Sequence, residues 1–454
     1  MKKRKVALLV AVALAVPAAH LVFSATPVAR DPGPRASAPA AGAPMPSLTA
    51  NELAFFAAGQ AAFNETEGVS QGLGPTMNFD SCGGCHSQPA AGGSSPALNP
   101  QVAFASKMGA SNRVPSFIRK DGPVREVRFV RNPDGSADGG VHALFTIAGR
   151  SDAAGCGIRQ PDFEGQLAAR NVIFRIPTPV FGAGLIEQIP DSAILAAQAQ
   201  SAPQRSALGI RGRPNIVLPF NTVSGQANKN GNDGTIARFG WKAQNKSLLL
   251  FSGEAYNVEM GISNELFQTE RDETAGCQFI TTPNDVTNMA ARGDAVGAMS
   301  DMHKFSLFMR MLAPPQPSSS EPGGSASIER GRQLFSQTGC ALCHTPMMRT
   351  GDASIAALRN QPVALYSDLM VHDMGSGLAD GVSQGQAGPR EFRTAPLWGL
   401  GQRLFFLHDG RTNDVQAAIR EHASQGSEAN GVVARYYAMP EYMKQDLLNF
   451  LRSL

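Results

Sequence analysis

Charged side chains are scarce in this sequence of 454 residues, and the two signs nearly cancel. Charged residues make up 17 %, and 40 Lys and Arg against 37 Asp and Glu leave a formal net charge of +3. Nucleic-acid-binding domains carry a clear basic excess, so this balance excludes a nucleic-acid partner. With 43 % hydrophobic residues the chain is too apolar to be disordered, and its length predicts two or three domains.

Cysteine is also scarce, with six residues in the whole chain. A disulfide-dense scaffold carries many more cysteines per residue, so we expect most of the six to serve chemistry. Glycine and proline are abundant instead, with 47 and 31 residues, and so many helix-breaking residues exclude a long coiled coil.

Long hydrophobic runs are missing from the sequence after its first residues. Residues 2–5 read Lys-Lys-Arg-Lys and precede an apolar run over residues 6–19, which is shorter than the about 20 residues that span a bilayer. This pattern predicts a signal peptide over residues 1–25; an uncleaved N-terminal anchor is the alternative. We therefore expect an exported, periplasmic protein with no stable membrane span in the mature chain.

Composition divides the rest of the chain into four segments. Residues 26–47 are rich in Ala, Pro and Ser and predict a flexible tether. A Pro-, Ser- and Gly-rich segment, 313–327, predicts a linker between an N-terminal domain over residues 48–312 and a C-terminal domain over 328–454. Turn-rich segments in the middle of the first domain predict β-hairpins.

Both predicted domains contain the motif Cys-x-x-Cys-His after an apolar helical segment, which indicates a diverged duplication. In c-type haem attachment the two thiols add to the haem vinyl groups, and the following histidine binds the iron. A thioredoxin-like redox motif would need a βαβ context, and a zinc site would need four ligands close together. We therefore expect two covalently bound haem c groups. The residues concerned are Cys82, Cys85 and the proximal ligand His86, and Cys340, Cys343 and the proximal ligand His344.

The two remaining cysteines, Cys156 and Cys277, lie in Gly- and Ala-rich loops without a nearby histidine. In an oxidising compartment this arrangement predicts a disulfide between them. Two buried free thiols are the alternative.

Several segments resemble a known family. Residues 392–401 and 406–411 are similar to the second half of bacterial dihaem cytochrome c peroxidases and their MauG-like relatives. Residues 72–78, 238–243, 368–375 and 408–410 resemble the dihaem oxidoreductase family, often called thiol oxidoreductase-like. The resemblance runs from about residue 50 to the end. It implies a mainly α fold of two cytochrome c-like haem domains, the first with a long loop- and hairpin-containing insertion, and it implies redox chemistry.

The same resemblance points to the second iron ligand of the C-terminal haem. In the peroxidases a methionine fourteen residues after the His of the His-Asp-Gly segment ligates this haem, and here that count from His408 reaches His422. We therefore expect His422 as the distal ligand, and a lower potential than methionine would give. Alternatives are Met374 and a plain surface role for His422, while His372 is expected on the propionate side.

The first haem has no such partner in the sequence. The peroxidase-type distal histidine some sixteen residues after the motif is replaced by Val102. We therefore expect a five-coordinate or weakly ligated iron, which permits peroxide or dioxygen chemistry. Cleaving a peroxide bond needs a group that moves a proton, and Glu187 is the predicted acid–base residue; a capping or exposed glutamate is the alternative.

Two further roles follow from the peroxidase resemblance. Trp241 or Trp398 would relay electrons between haems, with simple packing as the alternative for each. The turn at residues 230–234 and Glu259 would bind calcium, with a plain hairpin turn as the alternative.

Together these expectations describe an exported dihaem oxidoreductase of the peroxidase type. Electrons would come from a small redox protein or a quinol-linked donor, enter at the C-terminal haem, and reach peroxide or O2 at the N-terminal haem. The alternatives are a non-catalytic dihaem electron carrier, MauG-like oxidation of a protein or organic substrate, and a structural module of an envelope complex.

Overall fold

The computed structural model describes residues 28–138, 150–216, 222–223, 226–227, 235–270 and 274–454. The predicted signal peptide, 1–25, and the turn at 230–234 lie outside these residues. In the part of the chain that the structure describes, none of the helices combines the length and the apolar composition needed to cross a membrane.

The architecture is mainly helical, as expected. The first half contains α1 (Ala50–Asn64), α2 (Cys82–Cys85), α3 (Pro100–Lys107), α4 (Phe163–Ala168), α5 (Ala183–Glu187), α6 (Asp191–Gln200), α7 (Ala202–Ala207), α8 (Leu248–Met260), α9 (Ala295–Ala298) and α10 (Asp301–Met311). The second half contains α11 (Ser325–Thr338), α12 (Gly375–Leu378), α13 (Val415–Glu421), α14 (Asn430–Ala438) and α15 (Glu441–Ser453). Short 3-10 helices occupy Val69–Gln71, Cys340–Leu342, Ala356–Leu358 and Leu400–Gln402.

The strands are short and form two-stranded antiparallel pairs. They are β1 (Glu126–Phe129) with β2 (Val172–Arg175), β3 (Asn215–Ile216) with β6 (Ile236–Ala237), β4 (Thr222–Val223) with β5 (Gln226–Ala227), β7 (Met348–Arg349) with β8 (Pro362–Val363), and β9 (Val371–Asp373) with β10 (Glu391–Arg393). The β4–β5 pair lies in the middle of the N-terminal half.

Helix α1 begins where a capping box satisfies its first backbone groups. The Thr49 hydroxyl accepts from the Glu52 N–H at 3.3 Å, and the Glu52 carboxylate accepts from the Thr49 N–H at 2.7 Å, a pattern that fixes a helix start. The helix then packs against α10, and Gly59 allows the approach because a Cβ there would lie 2.4 Å from the Lys304 carbonyl oxygen. Phe63 meets Phe308 at a ring distance of 5.0 Å.

A second helix pair repeats this arrangement in the C-terminal half. Helices α11 and α15 pack together, with Phe335 and Phe450 rings 5.4 Å apart, and a Cβ on Gly331 would lie 2.0 Å from the Asp446 carbonyl oxygen. In each pair one helix precedes a Cys-x-x-Cys-His motif in the chain: α11 directly, and α1 with the 3-10 helix Val69–Gln71 in between. The repeated arrangement agrees with the duplication inferred from the sequence.

The hydrophobic core does not divide at the predicted linker, residues 313–327. Leu365 and Met370 from the C-terminal half belong to the same buried cluster as Phe56 and Phe308 from the N-terminal half. Helix α11 begins at Ser325, inside the predicted linker. The described parts of residues 48–312 and 328–454 therefore share a core, because buried apolar side chains from both belong to one cluster.

Residues 28–47 do not form the flexible tether expected over 26–47. The Asp31 carboxylate makes a buried ion pair with Arg452 of α15, at 2.6 and 2.7 Å. Farther along, the Met45 N–H donates to the Met311 carbonyl at 2.7 Å. Composition pointed to disorder because it cannot reveal ion pairs and backbone hydrogen bonds to residues hundreds of positions away.

The disulfide predicted between Cys156 and Cys277 is confirmed. The two sulfurs are 2.07 Å apart, and the bond joins residues separated by 121 positions. It connects two segments of the insertion in the N-terminal half.

Candidate haem sites

The N-terminal motif forms a short capped helix that ends at His86. The Ser81 hydroxyl accepts from the Gly84 N–H at 3.3 Å and starts α2. The His86 ring is held by a contact of 3.0 Å between its Nδ1 and the Gly93 carbonyl oxygen, and its edge meets the Phe63 ring at 5.9 Å. These contacts leave the Nε2 atom of His86 directed into the adjoining cavity.

The C-terminal motif is held in a similar way. The 3-10 helix Cys340–Leu342 precedes His344, whose Nδ1 lies 3.0 Å from the Tyr366 carbonyl oxygen. His422 follows α13, and its Nδ1 lies 2.7 Å from the Ala418 carbonyl oxygen. Burial, followed by the proximity of His422, lowers the pKa of His344 to about 4, which leaves a neutral imidazole suited to metal binding.

All three histidines that the sequence assigns to iron thus share one arrangement. In each, Nδ1 faces a backbone carbonyl oxygen, which fixes the ring and leaves Nε2 to bind a metal. The same arrangement is usual for histidines that ligate metals. The geometry therefore favours His86, His344 and His422 as ligands, although the sequence identified them only by motif and spacing.

A large cavity adjoins each motif. The N-terminal cavity encloses about 1250 Å³ and the C-terminal cavity about 1450 Å³ of space between atoms, part of it open to solvent. Cys82, Cys85 and His86 line the first cavity. The second is lined by Cys340, Cys343, His344 and His422, and also by His408, Met374 and His372. Each cavity is much larger than the space that a single ion needs.

The other candidate ligands near the C-terminal cavity are less suited to iron. His372 has both ring nitrogens engaged, with Asp368 at 2.9 Å from Nε2 and Glu428 at 2.9 Å from Nδ1. Met374 lines the cavity and remains the reserve candidate.

Trp241 forms a wall that the two cavities have in common. Its side chain lines both of them, and it also lines a smaller space between them together with Trp398. The indole Nε1 donates to the Ile176 carbonyl at 3.0 Å, and the ring lies 6.5 Å from that of His408. Of the two predicted relay residues, Trp241 is therefore the one that contacts both cavities.

Two arginines bring positive charge to the space between the cavities. Arg393 and Arg403 both line the C-terminal cavity and the smaller space beside it. Burial, with a neighbouring guanidinium, lowers the pKa of each to about 10, and among the described residues neither has a carboxylate partner. A buried cation without an acidic partner is costly. This pair fits the carboxylate groups of a haem, whose propionates would supply the missing negative charge.

None of the four motif cysteines forms a disulfide. Burial raises the pKa of Cys340 to about 12 and raises the pKa of Cys82 and Cys85 further. Since thiol–disulfide exchange proceeds through the thiolate, this burial disfavours a thiol redox site. The donor set instead fits covalent haem attachment, with sulfur and imidazole groups meeting at one apolar cavity.

Glu187 lies outside both cavities. It ends α5, accepts from the Leu248 N–H at 2.8 Å, and pairs with the Arg310 Nε at 2.6 Å. The carboxylate therefore caps α8 and balances an arginine, so the structure does not support the predicted acid–base role.

Glu259 faces the N-terminal cavity instead. Its Oε2 lies 3.8 Å from the Nε2 of His86. From the sequence, Glu259 is expected only as a calcium ligand, together with the turn at 230–234, which lies outside the described residues. No motif pointed to a contact between residues so far apart in sequence.

Two cavities, each with a Cys-x-x-Cys-His motif on its wall, and two buried arginines beside the C-terminal one define a protein built to hold two haems. A family model described as "Di-haem oxidoreductase, putative peroxidase" matches residues 126–454. The chain belongs to this di-haem oxidoreductase family, which confirms the resemblance seen in the sequence. The matched residues include the second motif, and the first motif precedes them.

Comparison with individual proteins gives weaker similarity. No curated protein matches the chain. Among solved structures, hydrazine synthase of Kuenenia stuttgartiensis matches at 17 % identity and a TM-score of 0.23, over 36 % of this chain and 56 % of that one. The diheme peroxidase BthA of Burkholderia thailandensis matches at 14 % identity and a TM-score of 0.29, over 48 % of this chain and 65 % of that one. The chain thus spans less than two thirds of either structure's length.

Proposed function

We propose that this di-haem oxidoreductase is an exported c-type cytochrome that reduces peroxide or O2. The haems, when bound, supply the redox chemistry: electrons from a small redox protein or quinol-linked donor enter at the C-terminal haem, and the oxidant reacts at the N-terminal haem. The observation that carries the proposal is that the Trp241 side chain lines both cavities.

The C-terminal cavity has the groups expected of an electron-transfer site. His344 and His422 offer two imidazoles in one cavity, and two strong axial ligands favour electron transfer over binding of an oxidant. Arg393 and Arg403 would hold the haem carboxylates and balance their charge. This side of the protein therefore binds and orients a haem without leaving an obvious place for a substrate.

The N-terminal cavity differs because His86 is the one histidine among the residues that line it. An iron that has one imidazole and no second strong ligand is five-coordinate or weakly ligated, which permits peroxide chemistry. Trp241 lies between this cavity and the His408 ring of the C-terminal cavity. It would carry electrons from the C-terminal haem to the N-terminal haem.

The spin states of the purified holoprotein test this function together with steady-state peroxide reduction. We expect one low-spin and one high-spin ferric haem per chain by electron paramagnetic resonance, and consumption of peroxide with a reduced donor. Two low-spin haems without turnover would instead identify an electron carrier. A long-lived oxidised state after one equivalent of peroxide, with no turnover of a small donor, would favour MauG-like oxidation of a larger substrate.

A matched pair of tryptophan variants tests the path between the cavities. Trp241→Phe should slow turnover with both haems retained, because it removes the indole that lines both cavities. Trp398→Phe should slow it less, since Trp398 lines only the smaller space between them. Equal rates for the two variants would contradict a relay at Trp241.

A further inference from the structure

Glu259 is an acidic group of the N-terminal cavity with an uncommitted carboxylate. It lies in the last turn of α8, and its side chain is 41 % exposed. Among the described residues, its carboxylate has no hydrogen bond and no ion-pair partner besides His86. The contact runs from Glu259 Oε2 to His86 Nε2, the ring atom that the Gly93 carbonyl leaves free.

The other glutamates in the wall of this cavity are engaged elsewhere. Glu254 is buried and accepts from the Asn245 side chain, and Glu126 pairs with Arg128. Glu187, outside the cavity, is committed to Arg310. Glu259 therefore differs from these carboxylates both in its freedom and in its position opposite the proximal histidine.

The distance between Glu259 and His86 distinguishes a hydrogen bond from two ligands of one metal. At 3.8 Å the two atoms are too far apart for a hydrogen bond. Bonds from imidazole nitrogen or carboxylate oxygen to a divalent first-row metal such as zinc are about 2.0–2.2 Å long, so donors on opposite sides of one ion lie about 4 Å apart. The observed separation is close to that of two ligands that share one metal.

We propose that the Glu259 carboxylate is the displaceable sixth ligand of the N-terminal haem iron, opposite His86. The inference rests on the proposed function in one respect, namely that a haem occupies this cavity. A carboxylate oxygen is a weaker-field ligand than a second imidazole, so it keeps the iron high-spin and yields its place to an incoming ligand. The exchange moves no electrons: one iron–oxygen bond breaks as the bond to the new ligand forms.

The freedom of the side chain allows this exchange. Glu259 is one residue from the end of α8, and among the described residues its carboxylate has no partner besides His86 that would hold it in place. Glu254, five residues earlier, is buried and accepts from the Asn245 side chain. The position of Glu259 near the helix end thus explains how its carboxylate can both bind the iron and leave it.

The first test replaces the carboxylate with a stronger ligand in the holoprotein. Glu259→His should convert the N-terminal haem to a low-spin species, so that the high-spin ferric signal of the wild type disappears while haem content stays at two. Glu187→Gln is the control, because it changes a glutamate outside the cavity, and it should keep the wild-type signal. A Glu259→His variant with two haems and an unchanged high-spin signal would overturn the proposal.

The second test removes the ligand and does not depend on how well histidine fits. If Glu259 occupies the iron about nine-tenths of the time, Glu259→Ala should tighten azide binding about tenfold, because apparent affinity scales with the fraction of open sites. Unchanged azide affinity would contradict the proposal, even if Glu259→His failed to fold.

These outcomes separate the inference from the proposed function. A low-spin Glu259→His variant of a protein that lacks peroxide turnover would support the ligand and refute the function. Turnover in the wild type with unchanged azide affinity in Glu259→Ala would support the function and refute the ligand.

Discussion

The N-terminal and C-terminal cavities begin from the same motif and are closed by different side chains. In both, a Cys-x-x-Cys-His segment follows a helix of a packed pair, α1 with α10 or α11 with α15, and the histidine Nδ1 faces a backbone carbonyl. The C-terminal cavity is completed by an imidazole, His422, whereas a carboxylate, Glu259, faces His86 in the N-terminal one. The motif therefore prepares a haem site, and residues from distant helices decide what that site can do.

The halves also differ in how they are held together. The N-terminal half has a covalent link, Cys156–Cys277, between segments of its insertion. The C-terminal half is instead joined to the N-terminal segment by the buried ion pair of Arg452 with Asp31. Three variants test these contrasts, and a fourth tests the pH dependence of stability.

The largest change is expected at His422. His422→Ala should convert the C-terminal haem from low-spin to high-spin, because it removes one of two strong ligands, and should leave the N-terminal haem unchanged. Electron paramagnetic resonance of the holoprotein measures both. His303→Ala is the control, since His303 pairs with Ser300 and Glu265 away from the cavities. If His422→Ala keeps its low-spin signal, Met374 becomes the better candidate.

Loss of the disulfide should destabilise the N-terminal half strongly. The double variant Cys156→Ala, Cys277→Ala should lose about 4–5 kcal/mol of unfolding free energy, because a link across 121 positions restricts the unfolded chain. Urea unfolding of the holoprotein measures the loss. A loss below about 1 kcal/mol would mean that the insertion is held by packing alone.

Removal of Asp31 should have the next largest effect. Asp31→Asn should cost about 3 kcal/mol, because it leaves the Arg452 guanidinium buried without its carboxylate. Glu329→Gln removes the exposed pair with Arg332 and should cost less than about 1 kcal/mol. Equal losses in urea unfolding would show that residues 28–47 contribute little to stability.

The smallest effect concerns the pH dependence of stability. Burial, then the nearby carboxylate of Glu65, raises the pKa of Glu67 to about 7 from its ordinary value of 4.5. The folded chain then binds this proton more tightly than the unfolded chain, so stability should fall as the pH rises from about 4.5 to about 7. Glu67→Gln removes this loss.

Urea unfolding at pH 5 and pH 8 measures the Glu67 contribution. Relative to wild type, Glu67→Gln should be more stable at pH 8 than at pH 5, by about 1 kcal/mol after allowance for solvent screening. The same difference from wild type at both pH values would contradict the assignment.

Local sequence was sufficient to predict the features that depend on residues close together in the chain. The apolar helical segments expected before the two Cys-x-x-Cys-His motifs are helices α1 and α11. The disulfide followed from counting cysteines, and His422 followed from a count along the resemblance.

The remaining features depend on contacts between residues far apart in the chain. Glu259 meets His86 across more than 170 positions, and no pattern within either segment records that contact. Asp31 looked like part of a loose segment because its partner, Arg452, lies at the other end of the sequence. Glu187 had a suitable position in the sequence, but its carboxylate accepts hydrogen bonds from Arg310 and from the Leu248 N–H at the start of α8.

The N-terminal segment also constrains the order in which the protein is assembled. Asp31 and Arg452 are 421 positions apart, and Arg35 donates to the carbonyls of Arg452, Ser453 and Leu454. Contacts so distant in sequence form late, because closing the loop between them costs entropy that only the folded intervening chain recovers. Asp31 and Arg35 therefore reach their final place only after the last residues of the chain have been synthesised and folded.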